Sequence, residues 1–150
     1  MIKSVLCAVE LSDKATDKLV LEQAVRMADL DGDGAQLDVV NVLPDFGESW
    51  VSGFFESHHH EKAVEDTTAR LKSVCAEILG EDRNSKIRHV VATGTAYQEI
   101  LKVAEAAGSD LIVIGAHKPD LKDYLLGPNA ARVIRHSECS VFVVRGPKGQ

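Results

Sequence analysis

The chain has 150 residues, a formal net charge of −6, and 45% hydrophobic and 27% charged residues. That length fits a single domain spanning 1–150 with a sizeable core, and the composition excludes the disordered class. No apolar run approaches ~18 residues, so no membrane partner is expected. Nor is nucleic acid, because phosphate backbones reward the clustered Lys and Arg that an acidic chain lacks.

The first apolar run, Val5–Val9, is too short for a signal peptide, and Glu10 and Asp13 stand where a cleavage site would belong. It reads as a buried strand. Leu19, Val20, Gln23, Ala24, Met27 and Ala28 recur at helical spacing, and Gly32 and Gly34 follow where a helix would end. The turn Asp29-Leu30-Asp31-Gly32-Asp33-Gly34 mimics the start of an EF-hand loop, but position twelve is Val40 and a strand follows in place of a helix. A polar helix-to-strand turn is the better reading. Leu37–Leu43 is the second strand.

Residues Pro44–His60, with Trp50, Gly53, Phe54 and Phe55, read as a long irregular connection, either a lid or disordered. His58, His59 and His60 are consecutive there, without the fixed geometry a metal site requires, so no metal ligands are assigned. A second helical stripe runs Ala63, Val64, Thr67, Leu71, Val74, Cys75, Ile78, and Gly80 follows it. Then come a strand at Ile87–Val91, a helix over Ile100–Ala107 closed by Gly108, and a strand at Leu111–Ile114. A short helix through Ala130, Val133 and Ile134 precedes the last strand, Val141–Val144. Cys7, Cys75 and Cys139 form no C-x-x-C pair and sit in apolar patterns, as reduced cysteines of an intracellular, cytoplasmic protein do.

Apolar strands alternating with amphipathic helices imply an α/β fold with a parallel sheet covered on both faces. Ligands of such sheets bind beyond the carboxyl ends of the strands, where strand order reverses. That rule selects Glu10–Lys14, Val42–Phe46, Gly94–Ala96 and Gly115–Gly127. In the last of these, Gly115 has no Cβ to hold a ligand away from the strand end. Gly127 precedes a helix whose free N–H groups face an anion, and Lys118 and Lys122 add positive charge. The plainer reading is a strand exit followed by a helix that starts with Pro128. His117 either contacts a phosphate or water there or packs over a helix, and His136 complements a helix C-terminus. No nucleophile–base arrangement is visible, so no catalytic residues are assigned.

The turn Ala8-Val9-Glu10-Leu11-Ser12, the segment Gly115…Leu125-Leu126-Gly127…Val133-Ile134-Arg135-His136 and the ending Val141-Phe142-Val143-Val144-Arg145 together resemble the universal stress protein family, in its F/G-type bacterial subgroup. The resemblance covers essentially the whole chain. It implies a Rossmann-like, adenine nucleotide alpha hydrolase-like fold, an open five-stranded sheet of order 3-2-1-4-5. It also implies a stress-response module that binds ATP, with Mg, without rapid turnover. The implied site comprises Ala8, Val9, Glu10, Ser12, Val42, Ile114, Gly115, His117, Lys118, Gly127, Asn129 and Ala130. Glu10 would approach the ribose or a metal, the Val42 backbone the adenine, and the N–H groups of Gly127, Asn129 and Ala130 the phosphates. The family's final strand implies a homodimer through Ser140–Arg145.

Three departures stand against the family's G-x-x-G-(x)9-G-[ST] signature. Lys118 replaces the second glycine, in a loop one residue shorter. Glu10 replaces an Asp. Pro128 replaces the Ser or Thr, losing a hydroxyl and an N–H together. One hydrogen bond to a charged group is worth roughly 1.5–3 kcal/mol. The residues therefore leave two alternatives beside a live ATP site: a vestigial pocket with function through protein contacts, or a slow Mg-dependent ATPase.

Overall fold

The computed structural model describes residues 1–32, 34–44, 53–116 and 126–146, the side chains of 53–58 excepted. Five strands and five helices follow in chain order: β1 (Ser4–Ala8), α1 (Lys14–Ala28), β2 (Gln36–Leu43), α2 (Gly53–Leu79), α3 (Glu81–Asn84), β3 (Arg88–Thr93), α4 (Ala96–Ala107), β4 (Leu111–Gly115), α5 (Pro128–His136) and β5 (Ser140–Val144). The strands form one parallel sheet in the order β3-β2-β1-β4-β5. The expected α/β class and strand order are both present.

Alternation along the central strands divides the core in two. Val5 and Cys7 of β1, with Val39 and Val113 beside them, pack against Val20, Leu21 and Ala24 of α1 and Leu71 and Cys75 of α2. Leu6 and Ala8, with Val40, Ile112 and Ile114, face Ile100 and Ala104 of α4 and Ala130 and Val133 of α5. Both faces of β1 are therefore covered, which is why its sequence is an unbroken apolar run and not an alternating one.

Two polar residues, Asp38 and Asn41, are buried within β2. Asp38 is 1% exposed, and Arg88 pairs with it in a fork, Nε at 3.0 Å and Nη2 at 2.8 Å. The same two residues are register partners, so the pair anchors the start of β3. Two charge-assisted bonds satisfy the buried carboxylate, as burial requires.

The connection expected at Pro44–His60 is corrected: α2 is already helical at Gly53. Gly53, Phe54 and Phe55 are weak helix formers, but propensity is a small term. The helix is long and is anchored by the buried Leu71 and Cys75 further along it. Trp50 lies outside the described residues. The expected polar turn after α1 is explained by its partners. Asp29 pairs with Arg83 at 2.9 Å, and an Asp31 carboxylate oxygen accepts the Ile2 N–H at 3.0 Å.

Candidate functional site

Strand order reverses between β1 and β4, and a cleft of about 620 Å³ opens at their carboxyl ends. This volume is in the range of small-molecule sites. One wall is the turn from β1 into α1. The Val9 N–H donates to the Val40 carbonyl at 3.0 Å, and the amide of the buried Asn41 donates to the Val9 carbonyl at 2.8 Å, fixing the strand exit. Two residues on, Leu11 has φ of 64°, the one non-glycine residue with positive φ among the described residues. A left-handed leucine costs roughly 1–2 kcal/mol, so the surroundings must enforce it. Its side chain is buried, and the Arg70 guanidinium of α2 donates to its carbonyl.

Asp13 caps α1, accepting the Ala15 N–H at 3.2 Å and the Thr16 hydroxyl at 2.6 Å. One turn further, Asp17 is 3% exposed and accepts the Glu10 N–H at 3.3 Å. Burial is the main reason its carboxyl is pushed up to about 6. The neighbouring Glu10 and Asp13 charges raise it further, and the Glu10 and Leu11 amides pull it down.

The opposite wall joins β4 to α5. The Ala116 N–H donates to the Val144 carbonyl at 2.9 Å, and the Gly127 N–H donates back to the Ala116 carbonyl at 2.6 Å. This corrects one expectation, since the Gly127 amide is engaged within the chain and is not free for an anion. Pro128 has no N–H, and the first helical bond runs from Ala131 to Gly127. The amides of Asn129 and Ala130 are left as the first-turn donors without a helical partner. At Gly115, a Cβ would reach only ordinary van der Waals contact with Thr16 and Val20, so the packing of β4 on α1 leaves room for a methyl group there.

Ala8, Val9, Glu10, Ser12, Val42, Ile114, Gly115, Gly127, Asn129 and Ala130 all line this cleft. His117 and Lys118 lie outside the described residues. The sequence reading missed Asn41, Asp17, Thr67 and Arg70, which also line it. Asn41 carried a signal, a lone amide inside the apolar run of β2. Thr67 and Arg70 carried none, because their place depends on how α2 crosses the sheet.

Among the described residues no group of three or more His, Cys, Asp or Glu is arranged to hold a metal. His60 faces the Thr93 hydroxyl at 3.2 Å, and His136 stacks on Tyr97 with ring centroids 6.0 Å apart. No described helix is long and apolar enough to cross a membrane.

Residues 1–145 match the model of the universal stress protein family. Universal stress protein G of Shigella flexneri is 33% identical over 144 residues, covering 91% of each chain. The solved structure of MJ0577, a universal stress protein of Methanocaldococcus jannaschii, superposes with a TM-score of 0.82 at 25% identity over 99% of both chains. A universal stress protein solved in complex with cAMP superposes with a TM-score of 0.65 at 16% identity, over 97% of this chain and 98% of that one. With one sheet order, one cleft at the switch point and a family match along nearly its full length, the chain belongs to the universal stress protein family.

Proposed function

We propose that the chain is a cytoplasmic stress-response module that binds an adenine nucleotide, ATP included, in the cleft between β1 and β4, and acts as a homodimer. One observation carries the reading: the Glu10 turn, the end of β4 and the start of α5 converge on a single cavity of nucleotide size. Val42, Ile100 and Ile114 offer an apolar slot for a base, Glu10 an acceptor for ribose hydroxyls, and the Asn129 and Ala130 amides donors at the positive end of α5 for phosphate. The cAMP complex of a protein with the same fold supports the ligand class. Any magnesium would arrive with the phosphates.

Pro128 is the discriminating residue, because it removes an N–H and a hydroxyl at the helix start. Calorimetric titration with ATP, ADP and AMP should show saturable binding, and Pro128→Ser should tighten it by roughly tenfold or more, about one hydrogen bond to a charged group. Glu10→Gln should weaken all three nucleotides alike, through the shared ribose. Heat-free titrations at millimolar nucleotide, with Pro128→Ser equally inert, would leave a vestigial pocket and a function through protein contacts.

The dimer reading rests on β5, an edge strand of the sheet. The Val144 carbonyl faces Ala116 on the β4 side, so by strand alternation the backbone groups of Val141 and Val143 face the open edge. A second copy pairing there would satisfy them.

A further inference from the structure

The β1–α1 turn is held from three directions. Leu11, in the left-handed conformation, is 6% exposed and packs in the core. Arg70 reaches from α2 to its carbonyl. From below, Asp17 accepts the N–H of Glu10 at 3.3 Å, itself 3% exposed and lining the cleft. No cation pairs with Asp17 among the described residues. Its charged and titratable neighbours are Glu10 and Asp13 at the turn, Cys7 from β1 and Cys75 from α2, while Arg70 is spent on Leu11. A buried acid without a cation costs stability, and an asparagine would accept the same N–H at less cost. An ionised carboxylate is the stronger acceptor, and a turn under backbone strain is where that strength is useful.

We propose that Asp17 is a positioning residue of the cleft, holding the Glu10–Leu11 backbone in the strained turn that presents Glu10 to the ligand, with Arg70 locking the same turn from α2. The inference rests on the nucleotide reading above and assigns Asp17 a role exerted through the backbone of Glu10 and Leu11.

The test is Asp17→Asn, which keeps the shape and one acceptor oxygen and removes the charge. The expected result is a split: at about pH 7.5 the variant melts higher than the wild type, yet binds adenine nucleotide roughly fivefold to tenfold more weakly, as exchange of one charge-assisted bond for a neutral one implies. A merely structural role would lower stability and affinity together. A simple charge effect would go the other way, because removing a negative charge beside a polyanion tightens binding. Affinity that is unchanged or increased overturns the proposal.

An amide NMR titration reads the turn without ligand. The Glu10 N–H signal should move with a midpoint near 6 in the wild type and lose that transition in Asp17→Asn. A wild type that binds no adenine nucleotide overturns the nucleotide reading, and the amide titration still decides whether Asp17 holds the turn. A Glu10 amide that does not follow Asp17 overturns the positioning role, whatever the nucleotide affinity.

Discussion

Asp17 shows how a single residue sets stability against local geometry. Its carboxyl, pushed from 3.8 to about 6 mainly by burial, is raised by folding. A raised carboxyl contributes stability that is full below the unfolded value and is lost as pH rises through the folded one. The folded protein therefore holds an ionised Asp17 at a cost near neutral pH, of order 3 kcal/mol for a two-unit shift. Asp17→Asn should raise stability at about pH 7.5 by roughly 1–2 kcal/mol, less than that cost because the amide is the weaker acceptor. Urea melts across pH should show the advantage shrinking below about 6. An advantage that persists undiminished to about pH 4.5 would mean that burial of the charge is not its source. Nothing in the local sequence marks Asp17: it lies one turn inside α1, where an acid usually serves the helix dipole. Only the fold of the preceding turn over it makes it a buried acceptor.

At the scale of elements, the helix ends divide into those set locally and those set by neighbours. Gly108 closes α4 in the left-handed region, φ 66° and ψ 38°, and the Ser109 N–H returns to the Ala104 carbonyl at 2.9 Å. A Cβ at Gly108 would meet nothing within 4 Å. Gly108→Ala should therefore cost only the conformational preference, about 1 kcal/mol, read as a lower denaturant midpoint with an unchanged slope. A loss several times larger would point to a contact that the backbone geometry does not show. The N-terminus of α2 is the opposite case. Gly53, Phe54 and Phe55 look like loop residues, and the helix that contains them is anchored by Leu71 and Cys75 about five to six turns on. The start of α5 lies between the two. Pro128 signals it in the sequence, but the loss of the Gly127 amide to the Ala116 carbonyl follows from the close approach of the β4 exit.

For the whole molecule, the proposed dimer turns on the β5 edge of the sheet. Its outward groups belong to Val141 and Val143, and among the described residues no strand pairs with them, so a valine-rich edge is available for pairing. Sedimentation velocity at micromolar protein should show a dimer. Val143→Pro removes an N–H on the open side, sparing the ladder to β4, and should shift the species to monomer with the fold retained. A wild type that sediments as a monomer, or a proline variant that stays dimeric, places the interface elsewhere.

What the sequence determined by itself was whatever local forces govern. Burial on both faces wrote the central strands β1 and β4 as apolar runs, helical spacing marked the stripes of α1 and α4, and Pro128 and Gly108 marked a start and a stop. The neighbourhood of the cleft was legible too, because strand alternation fixes where a parallel sheet opens. The tertiary structure decided the rest: the left-handed Leu11, the Arg70 that reaches it from 59 residues away, the buried Asp17, and the engagement of the Gly127 amide at the start of α5. Each of these depends on groups brought together across the chain, and hydrogen bonding and desolvation act on distance in space, which residue spacing along a sequence does not encode.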